Sequence, residues 1–106
     1  MKILVLAQRN TEVSVDQMRP HFKAEVEGVW NLYTQGVIRE FYTRADQGGP
    51  AILMIESETV ETAKQALQGL PMVENKMLKL EMIPLAPFNN LTHLFEGTAE
   101  AGHVQN

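Results

Sequence analysis

Residues 37–56 read VIREFYTRADQGGPAILMIE, and this stretch decides the fold. Residues 37–44 are rich in β-branched and aromatic side chains, and residues 51–55 form a short apolar run that ends at Glu56. The intervening DQGGP, residues 46–50, has the composition of a turn. The stretch therefore predicts two strands joined as an antiparallel hairpin.

Regular alternation along the first of these strands assigns its side chains to two faces. One face would carry Val37, Arg39, Phe41 and Thr43. The other face would carry Ile38, Glu40, Tyr42 and Arg44.

A helix is predicted on each side of the hairpin. Before it, residues 20–35 begin with a proline and carry one apolar stripe, and Gly36 follows as a left-handed stop. After it, Ser57 or Thr59 can cap a second helix that ends near Gly69 and Pro71. The two stripes, which should pack on the sheet, are Phe22, Val26, Val29, Trp30 and Tyr33 in the first helix and Val60, Ala63, Leu67 and Leu70 in the second.

The outermost elements are two more strands, residues 2–7 and 77–85. The order strand, helix, strand, strand, helix, strand is the split βαβ arrangement, so we expect an α+β, ferredoxin-like domain. Both helices would then lie on one face of an antiparallel sheet. We assign this domain to residues 1–96 and a flexible C-terminal tail to residues 97–106.

The strands at residues 2–7 and 51–55 are apolar on both faces, although two helices can cover only one face. A second copy of the same sheet is the simplest cover, since two-fold homodimers are the commonest oligomers. The pattern therefore predicts two sheets packed face to face in a barrel shared by two chains.

Composition excludes several classes of function. The net charge is −4 and no basic patch is interleaved with aromatic residues, so we expect no nucleic-acid partner. There are no cysteines and no apolar run of membrane-spanning length, which favours a cytoplasmic protein without membrane contact. The three histidines, His21, His93 and His103, are too scattered to suggest a metal site. No nucleotide or cofactor fingerprint occurs, and we expect no cofactor.

Three segments resemble the muconolactone isomerase-like branch of the dimeric α/β-barrel proteins: WNLYTQGVIRE at residues 30–40, LQGLPMV at 67–73 and IPLAPF at 83–88. The resemblance implies a homodimer that can assemble into larger rings. It also implies proton transfer in a small lactone without metal or cofactor. Where those isomerases carry a histidine near the end of the second strand, this chain carries Glu40.

Four residues are candidates for catalysis. Arg39 lies in an apolar strand, where it could hold a substrate carboxylate. It could instead form an ion pair with Glu25, Glu56 or Glu81, or be exposed on an edge strand. Tyr42 could donate a hydrogen bond to a developing enolate, or simply pack in the barrel. Glu56 and Glu25 could each act as a general base if burial raised the pKa of the carboxyl, or could be solvated partners of a cation.

Three functions remain open on these observations. The first is a cofactor-free enzyme that transfers a proton in a small organic acid or lactone. The second is a non-catalytic module that binds a small ligand or serves in assembly, which the absent histidine favours. The third is a cofactor-free monooxygenase.

Overall fold

The computed structural model describes residues 1–96, and the predicted tail, with His103, lies outside the described residues. The chain forms an α+β fold around one four-stranded antiparallel sheet. The strands are β1 (Lys2–Arg9), β2 (Ile38–Thr43), β3 (Ala51–Glu56) and β4 (Leu78–Leu85). The helices are α1 (Val15–Met18), α2 (Phe22–Thr34), α3 (Val60–Gln68) and α4 (Pro71–Glu74), with 3₁₀ segments at Arg19–His21 and Asn89–Phe95.

The strands lie in the order β2-β3-β1-β4, which is compatible with the ferredoxin-like arrangement. The two predicted helices are α2 and α3, and the structure adds the short α1 and α4. Two local predictions are confirmed. Gly36 adopts φ +82° after α2, and the Thr59 hydroxyl accepts a hydrogen bond from the Thr62 N–H at the start of α3.

The core lies between the helices and one face of the sheet. Ile3, Val5 and Ile55 are fully buried there, as is Leu67 of α3. Helix α2 passes close to the end of α3, because a Cβ atom added at Gly28 would lie 2.7 Å from Cδ2 of Leu70. A larger residue at position 28 would require Leu70 to move, so glycine permits this close approach.

A β-bulge in β2 makes the predicted alternation wrong. Ile38 pairs with Ile55, but Glu40 pairs with the very next residue of β3, Met54, so Arg39 is an extra residue. The bulge moves Phe41 to the same face as Ile38, toward the helices. Glu40 and Tyr42 therefore lie on the opposite, helix-free face.

The helix-free face of the sheet is largely apolar at its centre. Alternation and the strand register place Leu4, Leu6, Ile52, Met54 and Ile83 on it. All five are only half-buried, whereas Ile3, Val5, Leu53 and Ile55 on the helix-covered face are fully or almost fully buried. Within residues 1–96, no helix is long and apolar enough to cross a membrane.

The expectation that the whole α2 stripe packs on the sheet is wrong. Only Val29 of that stripe is half-buried against the core. The other four members, Phe22, Val26, Trp30 and Tyr33, are exposed. The rings of Trp30 and Tyr33 pack in a tilted arrangement, with their centroids 5.3 Å apart. The ring of Tyr33 also packs on that of Phe41, with their centroids 5.0 Å apart.

The buried side chain of Leu67 provides a test of this core. We expect Leu67→Ala to lower the free energy of unfolding by about 2–5 kcal/mol, because it removes buried apolar contacts and leaves a cavity. Gln65→Ala, on the exposed side of the same helix, should change the free energy of unfolding by less than about 0.5 kcal/mol. Urea denaturation of both variants measures the difference, and equal effects would contradict this description of the core.

Candidate functional site

The four candidate residues do not converge on one site. Glu25 lies on α2, on the side of the sheet that the helices cover. Glu56 and Tyr42 lie on the helix-free face, where they belong to neighbouring strands. Arg39 projects from the bulge of β2. Each must therefore be considered separately.

The Arg39 side chain is exposed on the edge strand β2, which is one of the alternatives that the sequence left open. Its Nε–H donates a hydrogen bond to the carbonyl oxygen of Gly36 at 2.6 Å. Within residues 1–96, no carboxylate lies within ion-pair distance of Arg39. This hydrogen bond thus links the bulge at Arg39 to the turn at Gly36 that precedes β2.

Tyr42 is also exposed, and its hydroxyl donates a hydrogen bond to Oε1 of Glu40 at 2.8 Å. This carboxylate raises the pKa of the Tyr42 phenol, since it stabilises the protonated form. The neighbouring Arg44 forms a bidentate ion pair with Asp46, in which Nη2 lies 2.6 Å from Oδ2. Arg44 is therefore engaged in the hairpin turn rather than with Tyr42.

Glu56 sits at the end of β3, with Oε2 2.7 Å from the amino group of Met1. This hydrogen bond is the main factor that lowers the pKa of Glu56, with smaller contributions from the charges of Lys2 and Arg39. A carboxylate with a lowered pKa is a weak proton acceptor. The environment of Glu56 therefore suits a structural ion pair better than a general base.

Glu25 is the candidate that faces a cavity. The cavity has a volume of about 330 Å³ and lies between α2, α4 and the adjoining ends of β1, β3 and β4. Its lining is mostly apolar: Met18, Phe22, Val26, Val29, Pro50, Ala51, Met72 and Leu78. A small organic molecule could therefore replace water in this pocket beside the carboxyl group.

The position of the Glu25 carboxyl is fixed by α4. Its Oε1 atom accepts a hydrogen bond from the backbone N–H of Met72 at 2.8 Å. Burial raises the pKa of Glu25 above its ordinary value of 4.5, and the Met72 hydrogen bond and the charge of His21 only partly offset this effect. A carboxylate with a raised pKa is a stronger base, and its protonated form persists closer to neutral pH.

Arg9 also lines this pocket, although the sequence did not point to it. The apolar run predicts a strand that ends at Ala7, but β1 continues to Arg9, which pairs with Leu78. Extending the alternation of Ile3, Val5 and Ala7 by one step would have placed Arg9 on the helix side. Arg9 borders a second, more polar pocket of about 460 Å³ as well, and forms no ion pair within residues 1–96.

The pocket thus combines one acid–base group, one cation and an apolar wall. Glu25 and Arg9 are the only ionisable side chains in the lining that the structure describes. No group of three or more histidine, aspartate or glutamate side chains within residues 1–96 is arranged to hold a metal ion. The arrangement can bind a small anion with an apolar body and exchange a proton with it.

Comparison with known proteins adds no assignment. No protein-family model matches the chain, and no curated protein matches it in sequence.

The raised pKa of Glu25 predicts a pH dependence of stability. The native carboxyl holds its proton more tightly than the unfolded one, so the free energy of unfolding falls as the pH rises from about 4.5 through the native pKa. Glu25→Gln lacks this titration and can still accept the Met72 hydrogen bond. The free energy of unfolding of Glu25→Gln minus that of the native chain should therefore increase between about pH 4 and pH 7.

Urea denaturation at both pH values measures this change. Glu27→Gln removes the same charge from the exposed side of α2 and reports the effect of net charge alone. A stability difference for Glu25→Gln that stays constant or decreases with pH would show that the Glu25 pocket does not destabilise the carboxylate.

Proposed function

We propose that this protein is an isomerase-like enzyme that transfers a proton within a small organic acid or lactone and needs no cofactor. The observation that supports this best is the half-buried Glu25 in an apolar pocket, with one carboxylate oxygen held by Met72. The resemblance to the muconolactone isomerase-like proteins points to the same chemistry.

The size and charge of the pocket define the substrate class. A volume of about 330 Å³ is at the small end of the range for ligand sites. Arg9 lies at the border between this pocket and the more polar one, where a guanidinium can bind a carboxylate through two parallel hydrogen bonds. The substrate would place an apolar ring beside α2 and a carboxylate toward Arg9.

The reaction then needs only the Glu25 carboxyl. The carboxylate removes a proton from a carbon next to the substrate carbonyl, and the C–H electron pair passes into an enolate. The protonated Glu25 returns the proton to another carbon of the conjugated system, which moves the double bond. No net oxidation occurs and Glu25 ends in its starting state.

The proposed enzyme is a homodimer, with the helix-free sheet faces of two chains packed together as a dimeric α/β barrel. The half-buried apolar residues on that face support this arrangement, since water contact with them is unfavourable. Such dimers could also be the units of a larger ring.

A non-catalytic ligand-binding module is the second candidate. It is favoured by the absence of any second acid–base side chain from the described pocket lining. A module would bind the same small anions without exchanging their protons, so the two functions can be separated by experiment.

The catalytic role of Glu25 can be tested with five-membered unsaturated lactones that carry a carboxylate. In D₂O, the native protein should catalyse incorporation of deuterium next to the carbonyl, observed by NMR. Glu25→Gln should lower the rate about 10²–10⁴-fold, because it removes the proton acceptor. Glu27→Gln should exchange at the native rate.

Equal rates for Glu25→Gln and the native protein would exclude this mechanism. Binding of the lactones to the native protein without any exchange would instead favour the ligand-binding module. Arg9→Ala should mainly raise KM, since Arg9 is assigned to hold the carboxylate.

Sedimentation tests the proposed dimer. We expect the native chain to sediment as a dimer at micromolar concentration, and Leu6→Glu to weaken the dimer by placing a charge at the centre of the helix-free face. Gln65→Glu adds the same charge to exposed α3 and should leave the dimer intact. A native monomer would contradict the proposed sheet contact.

A further inference from the structure

Another cavity lies at the β4 edge of the sheet, outside the Glu25 pocket. It has a volume of about 620 Å³ and lies between α3, the turn from α4 to β4 and the loop that follows β1. Its lining includes three of the five lysines of the chain, Lys64, Lys76 and Lys79, and we call it the lysine pocket. The proposed proton transfer makes no use of this cavity.

Separate elements bring these lysines together. Lys64 lies on α3 one turn before Gln68, so both side chains are on the same side of the helix. Lys76 lies in the turn after α4, and Lys79 lies on the edge strand β4. The Asn10 side chain donates a hydrogen bond to the carbonyl oxygen of Lys76 at 3.0 Å, which joins the loop after β1 to this turn. The fold thus places three cations around one cavity.

The three ammonium groups have little negative charge beside them. Within residues 1–96, none of them forms an ion pair, and Glu12 is the only carboxylate in the described lining. The chain as a whole has a net charge of −4, so this concentration of cations is local. All three lysines are exposed, so a dissolved anion can reach them. Such an anion would offset the repulsion between the ammonium groups.

The remainder of the lining includes an apolar wall. Leu78, Leu80 and Met82 alternate along β4 on the helix side, and Val73 of α4 also lines the cavity. All four side chains are half-buried. A wall of this kind next to exposed cations suits a ligand that has an anionic head and a small apolar body.

We propose that the lysine pocket binds a phosphate monoester with a small apolar body. Lysine binds phosphate as a point charge, whereas the fork of a guanidinium matches a carboxylate. A phosphate monoester carries a charge of about −1.5 to −2 at neutral pH, so three ammonium groups attract it more strongly than a carboxylate. This site is separate from the Glu25 pocket, since the two described linings have only Leu78 in common.

The backbone at Lys76 gives independent support. Its φ of +59° lies in the left-handed region, which few residues other than glycine and asparagine adopt. The Lys76 N–H donates to the carbonyl oxygen of Val73, and the Met77 N–H to that of Met72. Glycine is the usual residue at the corresponding position of such helix ends. The chain thus carries a lysine where the local backbone favours glycine, which is expected if the ammonium group has a binding role.

Titration of the full chain with phenyl phosphate, followed by ¹H–¹⁵N NMR, tests the proposal. Phenyl phosphate should shift the amide signals of Gln68, Lys76 and Lys79. It should also bind more tightly than benzoate or phenol, which have the same ring but less charge. Inorganic phosphate should shift the same signals at higher concentration, because it lacks the apolar body. Added salt should weaken the binding of both phosphates, since salt screens exposed charges.

Substitutions locate the bound phosphate. Lys64→Met, Lys76→Met and Lys79→Met should each raise the Kd of phenyl phosphate about 2–5-fold, and the triple variant should raise it about 10-fold or more. Lys23→Met removes the same charge from the exposed side of α2 and should leave the Kd unchanged. Arg9→Ala should also leave it unchanged, because Arg9 lines the Glu25 pocket and not the lysine pocket.

Lys76→Gly separates binding from folding. Glycine adopts a φ near +59° without strain, and its carbonyl oxygen can still accept the Asn10 hydrogen bond. The variant should therefore unfold at the urea concentration of the native chain or at a higher one. It should nevertheless weaken the binding of phenyl phosphate as much as Lys76→Met does. A native Kd in Lys76→Gly would contradict the role assigned to this ammonium group.

Four further results would overturn the proposal. They are the absence of phenyl phosphate binding at millimolar concentration, a native Kd in the triple lysine variant, an equal loss of binding in Lys23→Met, and loss of binding in Arg9→Ala. The last result would place the phosphate in the Glu25 pocket. These measurements record binding and no turnover, so they are independent of whether Glu25 transfers a proton.

A vesicle experiment distinguishes a soluble ligand from a lipid headgroup. Phosphatidic acid is also a phosphate monoester, and vesicles of phosphatidylcholine that contain it present the same charge on a membrane surface. We expect these vesicles not to displace phenyl phosphate, because the lysine pocket is a concave site of small-molecule size. Vesicles that bind the chain when phenyl phosphate does not would contradict the proposed small ligand.

Discussion

The close packing of α2 against the segment that joins α3 to α4 is the constraint on which the pocket depends. Gly28 allows α2 to approach Leu70 more closely than a side chain would permit. That approach brings Glu25 within hydrogen-bond distance of the Met72 N–H at the start of α4. This approach fixes the position of the carboxyl, and burial beside the apolar pocket lining raises its pKa.

The two faces of the sheet differ in what they carry. The helix side contains both the core and the pocket, with Glu25 and Arg9 in its lining. The helix-free side contains Tyr42 and Glu56, each engaged with a neighbouring group. If two chains pair through that second face, assembly and chemistry would occupy opposite sides of one sheet.

Much of the fold could be predicted because its signals are local. The turn after Thr43, the glycine after α2 and the cap of α3 are each encoded within a few residues. The β-bulge at Arg39 could not be predicted, since a strand with or without one extra residue shows the same apolar pattern. That single residue moved Phe41 toward the helices and left Arg39 exposed.

The site was only partly predictable for a similar reason. Glu25 was a candidate because it borders an apolar stripe, and it does line the pocket. Arg9 was missed because β1 extends two residues beyond its apolar run, and such an extension depends on pairing with β4. The exposure of Trp30 depends on which helix surfaces meet the sheet, a property of tertiary packing that helical spacing does not determine.

A ¹³C NMR titration of the Glu25 side-chain carboxyl in the full chain tests the proposed site most directly. The pocket geometry predicts a pKa above 4.5 that changes again when a carboxylated lactone binds. A pKa at or below 4.5 that no such ligand alters would contradict the assignment of Glu25 as the acid–base group.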